Sequence, residues 1–163
     1  MNNLFDLLKD DETDFTIKFN NNDDISLNVN CEKELEDDSY LRYYFYATAE
    51  NKQGQELGRI SFNIENDEYV FFGVLLVDDK YGRKGVGSKL VEFMEYVAQQ
   101  RGVSSIGGDF DPKDERAGMF YHKKGYKIIH IDDYDLVQKF IDIGKVNENI
   151  SVDILPKEKQ LSK

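Results

Sequence analysis

Gly85, Val86, Gly87 and Ser88, preceded by Arg83 and Lys84, are the residues of this chain best suited to hold an anion. They follow an apolar run, Val70 to Val77, and a short polar turn that carries Gly82. After them, Val86, Leu90, Phe93, Met94 and Val97 recur at three- and four-residue steps, as one face of a helix does. A strand therefore feeds a glycine-bearing loop into a helix N-terminus. Such a terminus offers free backbone N–H groups and the positive end of a helix dipole, which together suit phosphate. Glycine allows a ligand to approach backbone that a side chain would shield. Arg83 and Lys84 add cationic charge to the loop.

Three kinds of phosphate-binding loop come near this pattern. The dinucleotide fingerprint G-x-G-x-x-G lacks its third glycine here. The nucleotide-binding P-loop has its glycine spacing in Gly82 and Gly87, but Ser88-Lys89 stands in reverse order, which displaces the lysine from the terminal phosphates. The acetyl-CoA loop, R/Q-x-x-G-x-G/A, is matched by Gly85-Val86-Gly87. A second motif lies about thirty residues on, Ala117 to Tyr126, reading AGMFYHKKGY. Together the two resemble the GCN5-related N-acetyltransferase (GNAT) family from about Tyr69 to Ile141, under half of the chain. Two departures stand out. Gly82-Arg83 transposes the family's usual Arg-Gly, and Asp114 stands where Asn is frequent.

The resemblance implies acetyl transfer from acetyl-CoA to a primary amine. Acetyl-CoA is then the co-substrate, held by the backbone of Leu75, Leu76 and Val77 on the central strand and by Arg83, Lys84, Gly85, Val86, Gly87 and Ser88 in the loop. Tyr121 takes the family's acid position. A phenol with an ordinary pKa of about 10 is protonated at neutral pH and can donate to the leaving thiolate. Ala117, Phe120, Tyr121 and Lys124 also share a helical stripe, so core packing is the competing role for Tyr121. No carboxylate lies on the central strand. Asp109, Asp111, Glu65, Glu68 and a chain of waters remain open as the base. His122 reads as a surface residue. Lys123 and Lys124 read equally as phosphate contacts or as solvated helix-end charges.

A net charge of −11 lies entirely in residues 1–69, with 17 acidic and 6 basic side chains, and the remainder balances. Without a basic patch, nucleic acid is not an expected ligand. The acidic half favours a cationic acceptor instead, either a small-molecule amine or a protein lysine. Cys31 is the only cysteine and the histidines number two, so no transition-metal site is expected. Neither a membrane-spanning run nor a secretory leader is legible, and the expected location is the cytoplasm. The resemblance leaves room for a homodimer.

The apolar pattern gives an α/β order within one domain, residues 1–141, and a tail, 142–163, in which Ile150 to Leu155 adds a strand. Leu4 to Leu8 suggests a short docked helix. Alternation at Phe15–Phe19, Ile25–Cys31, Leu41–Ala49 and Ile60–Ile64 marks strands before the central one, in which Gly73 suggests a bulge. Glu32 to Asp38 reads as an acidic loop or one helical turn. The fold expected from the resemblance is a mixed, mostly antiparallel sheet flanked by helices. The two helices usual between the first two strands are reduced or missing, because residues 20–40 alternate with a period of two. The competing function is a non-catalytic CoA-binding or protein-interaction module on the same fold; a phosphate-binding nucleotide hydrolase is the remote third.

Overall fold

The computed structural model describes residues 3–78 and 85–156. Arg83 and Lys84 lie outside the described residues. The elements in chain order are α1 (Leu4–Leu7), β1 (Glu12–Phe19), β2 (Asn22–Glu36), β3 (Tyr40–Glu50), β4 (Glu56–Glu65), β5 (Tyr69–Val77), α2 (Val86–Arg101), β6 (Ser105–Phe110), α3 (Glu115–Lys123), β7 (Lys127–Ile131), β8 (Tyr134–Phe140) and β9 (Ile150–Ile154). The strands form one sheet in the order β7-β8-β6-β5-β4-β3-β2-β1-β9. Among the described strands only β5 and β6 pair in parallel, since α2 carries the chain from one to the other.

No helix separates β1 from β2. The two pair as an antiparallel hairpin, with Ile17 opposite Leu27 and Phe15 opposite Val29. The acidic stretch is not a loop: Glu32 to Glu36 continues β2 and pairs with Tyr40 to Tyr44 of β3. Asp37, Asp38 and Ser39 make the turn, and the two aspartates adopt positive φ, 52° and 57°. Asn66 and Asp67 repeat the device between β4 and β5, at 48° and 59°. Left-handed pairs of Asn and Asp match the twist of the flanking strands, which ordinary turns would splay.

The core lies on one face of the sheet. α2 buries Leu90, Phe93, Met94 and Val97 there, as its periodicity predicts. The Phe93 ring reaches Phe15 of β1, Phe45 of β3 and Phe62 of β4 at 5.8–6.4 Å, so the strands curve around the helix. Gly102 ends α2 in the left-handed region and its N–H bonds the Ala98 and Gln99 carbonyls. α1 packs on the same side through Phe5, whose ring meets Tyr43 and Phe45. Residues 142–149 then cross the outer side of α2. Asn147 and Asn149 donate to the Glu92 carboxylate at 3.3 and 2.7 Å. β9 follows and closes on the free edge of β1.

Two glycines shape the middle of the sheet. The register of β4 against β5 slips between Ser61 and Phe62, which pair with Val74 and Phe72 and leave Gly73 as the extra residue of a bulge. Gly108 of β6 sits under the Phe72 ring: a Cβ there would lie 2.4 Å from two of its carbons. Gly108→Ala is therefore expected to destabilise the fold by about 1–3 kcal/mol, the usual cost of overpacking. Thermal melting checks this, and an unchanged Tm would mean that Phe72 moves aside freely.

Candidate active site

β5 and β6 pair at only three positions, Val70↔Ile106, Phe71↔Gly107 and Phe72↔Gly108. Beyond them β5 stays with β4 as far as Gly58↔Val77, while β6 stays with β8. The two strands part just where the Gly73 bulge lies. A cavity of about 710 Å³ occupies the opening on the helical side. Its walls are Leu75 and Val77 from β5, Gly85, Gly87 and Ser88 from the start of α2, and Ala117, Phe120 and Tyr121 from α3, with Asp114, Arg116, Lys123 and Lys124 at the charged end.

The start of α2 faces this cavity without a side-chain cap. Gly85 is the N-cap residue at φ 80°, a conformation that disfavours a side chain even though a Cβ there would meet open space. Gly87 is constrained differently. A Cβ there would stand 3.3 Å from the Phe120 ring and 3.5 Å from the Val77 side chain. The first turn of α2 is thus pressed against α3, and its amides remain open to an acceptor of hydrogen bonds. Arg116, Lys123 and Lys124 make the wall opposite cationic.

Tyr121 is 5% exposed and packs against Phe72, Phe110, Phe120 and Tyr126 at ring separations of 5.4–5.9 Å. Both roles read from the sequence therefore meet in one residue: the ring is core and the side chain also lines the cavity. Burial pushes its phenol up to about 12, and the negative charges of Asp114 and Asp109 add to this. It is a neutral proton donor through the physiological range. Neighbouring Tyr126 is committed elsewhere, donating to Glu95 at 3.1 Å.

None of the four carboxylates considered as a base lines this cavity. Burial pushes the Glu65 carboxyl up, but hydrogen bonds from Arg42, Asn63 and Tyr40 outweigh it and hold the group below its usual range. Glu65 is a structural anion at the end of β4, beside the start of β5 and away from the cavity. Glu68 borders a different hollow, over β6 and β8. Asp109 and Asp111 line another of about 730 Å³, beyond Phe110, together with Asp132 and Asp133. Asp114 does line the cavity, but it caps α3 by accepting from the Ala117 N–H at 3.0 Å. His122 is exposed. Leu76 is half exposed on the opposite face of the sheet, and the Val86 side chain is buried in the core, so both could contribute to this site only through backbone. Among the described residues no cluster of His, Cys, Asp or Glu is placed to hold a metal ion. No described helix is long and apolar enough to cross a membrane.

Residues 42–128 match the family model for the acetyltransferase (GNAT) domain, just over half of the chain. The chain belongs to the GNAT acetyltransferase family. The PaiA N-acetyltransferase of Thermoplasma acidophilum, solved in complex with coenzyme A, superposes with a TM-score of 0.56 at 17% identity over 60% of this chain and 61% of its own. An acetyltransferase from Streptococcus agalactiae gives 0.55 at 21% identity over 60% and 67%. Ard1 from Thermoplasma volcanium gives 0.55 at 18% identity over 60% and 70%. The chain thus spans less than two thirds of the length of PaiA. No curated protein matches the sequence. Similarity at this level establishes the fold, and the family match runs from β3 to β7, so the β1–β2 hairpin and β9 lie outside it.

Of the lining residues, Arg116 was not legible beforehand. It falls outside the stripe that carries Ala117, Phe120 and Tyr121, and only its position in the first turn of α3 marks it. The contact between α2 and α3 is testable without any ligand. Gly87→Ala is expected to lower stability by about 1 kcal/mol by crowding Phe120, a modest overpacking. Adding Phe120→Leu should reduce that cost in a double-mutant cycle of denaturant midpoints. Additive effects would show that the two helices are not pressed together at this point.

Proposed function

We propose that the protein is an acetyl-CoA-dependent N-acetyltransferase that acts on a primary, cationic amine. One observation carries this reading: an uncapped helix N-terminus and a buried, protonated phenol open on the same cavity at the parting of two strands. The size and charge of that cavity suit the co-substrate. The amides of Gly85 to Ser88 and the cations of α3 would meet its phosphates, while Leu75 and Val77 border the inner end. Backbone N–H groups of β5 past the bulge, between Leu75 and Val77, would serve the carbonyl oxygen as charge develops on it.

Acetyl-CoA supplies an activated thioester. The neutral amine nitrogen forms a bond to its carbonyl carbon and the carbon–sulfur bond breaks. Tyr121 then gives its phenolic proton to the leaving thiolate, and the surplus proton of the amine passes to water. A water relay suits a cavity in which, among the described residues, the one lining carboxylate is occupied as a helix cap. The chain's acidic N-terminal half favours a cationic acceptor. In the same reading, residues 1–141 work as one catalytic domain in the cytoplasm.

Gly87→Val, whose larger side chain must displace Phe120 or project towards the phosphates, should weaken acetyl-CoA binding at least tenfold in calorimetry. Circular dichroism would verify that the variant is folded, and unchanged affinity in a folded variant would sink the assigned site. Should the wild type bind CoA yet yield no acetylated product over a broad amine panel, the non-catalytic module would replace the enzyme.

Tyr121→Phe keeps the ring and removes the proton donor, so kcat should fall on the order of 10²- to 10⁴-fold with little change in CoA affinity. The phenol donates only while protonated, so its contribution is present below about 12 and is lost as the pH rises through that value. The wild-type rate should accordingly show no descending limb near pH 10. A limb there that disappears in Tyr121→Phe would contradict the buried, raised phenol.

A further inference from the structure

Among the described residues the three helices lie on one face of the sheet and nothing covers the other face over β1 to β5. That face is neither uniformly polar nor neutral. Tyr46, Tyr69, Val74 and Leu76 are 40–51% exposed on it. β1 and β2 present Glu12, Asp14, Glu32, Glu34 and Glu36 there against Lys18; of the arginines that β3 and β4 add to the face, Arg42 is bound to Glu65 and Arg59 lies away from these carboxylates, opposite Thr48. None of these five carboxylates joins an ion pair among the described residues; Glu12 and Asp14 instead share the neutral Asn30 amide, at 2.9 and 2.8 Å.

The register aligns these features into a track. On the open face Glu12 stands opposite Glu32, Glu32 opposite Tyr44, Tyr44 opposite Asn63, Asn63 opposite Phe71 and Phe71 opposite Gly107. One row of side chains therefore begins at two carboxylates, crosses two aromatic rings and ends one pair short of the place where β5 and β6 part. Leu75 and Val77 line the cavity behind that opening, and Val74 and Leu76 flank it in front.

We propose that this face is the docking surface for an extended cationic polypeptide that crosses the strands and delivers a lysine through the gap between β5 and β6. Charge selects this occupant. A second copy would bring a like-charged acidic face against this one, whereas arginine and lysine side chains complement the carboxylates and stack on the exposed Tyr46 and Tyr69, Tyr44 being stacked already by Arg42. With strands about 4.8 Å apart, the acidic end lies roughly 15–20 Å from the gap, or about five or six residues of extended chain. The occupant therefore carries basic residues at that distance from its reactive lysine. Delivery of the lysine rests on the acetyltransferase reading; docking does not. In the transfer the lysine nitrogen gains the acetyl carbon, the carbon–sulfur bond breaks, the thiolate takes the Tyr121 proton and the surplus amine proton goes to water.

The test uses fluorescent single-lysine peptides with two arginines five and six residues from the lysine, on either side in separate peptides, and counterparts with glutamine in place of arginine. At least one arginine peptide should bind the wild type tenfold or more tightly than its counterpart, by anisotropy. That preference should shrink in Glu12→Gln/Glu32→Gln and with added salt. Equal affinity for arginine and glutamine peptides, or a preference that the double variant keeps, overturns the proposal. So does a dimer, by light scattering, whose formation excludes the peptide. Mass spectrometry of acetylated peptide and acetylated spermidine separates the two readings. Arginine-dependent binding without any acetylated product supports the docking face and overturns only the acetyltransferase reading.

Discussion

The parting of β5 from β6 is the constraint on which the site depends. A continuous sheet would satisfy the backbone of both strands and leave no opening. Here the pairing stops after three residues, and Gly73 inserts an extra residue at the same level, which turns the rest of β5 away from its old neighbour. The Phe72 ring, seated on Gly108, then supports Tyr121 from below. One departure from regular pairing thus fixes the gap, the backbone groups beside it and the phenol that looks into it.

Much of this was legible in the sequence because local chemistry and global fold agree. Gly73 stood out as a break in an otherwise apolar strand, and Gly85 as a loop glycine leading into a helical stripe. Tyr121 was ambiguous, and the structure explains why: a buried ring and a cavity-lining side chain belong to one residue. The acidic stretch from Glu32 misled because charge hid its alternation. Glu32, Glu34 and Glu36 are the outward half of a strand whose inward half ends at Cys31, and strand formation there is decided by pairing with β3 rather than by intrinsic preference. The distant pairing of β9 with β1 had no signal in the sequence, since nothing local states which edge a late strand will join.

The charged groups divide along the sheet. The cations of α3 stand over the cavity on one side, and carboxylates that join no ion pair among the described residues gather on the other face at the opposite end. A polyanionic co-substrate and a polycationic acceptor would then approach from different directions and be guided apart by the same field. Glu65 illustrates how an anion can belong to neither group. Bound by Arg42, Tyr40 and Asn63, it ties β3 to the end of β4 and presents little free charge to solvent.

The closure of β9 on β1 has a consequence for how the chain reaches its native state. Asn20 and Ser151, hydrogen-bonded at 3.0 Å, are 131 residues apart. During synthesis the β1–β2 hairpin emerges early and must wait with an open edge until its last neighbour arrives. Contacts so remote in sequence are reached slowly, since a long loop has to close before they reward it. An unpaired strand edge in the interval invites pairing with other nascent chains. The charges along β1, Glu12, Asp14 and Lys18, fall at the positions that discourage such encounters.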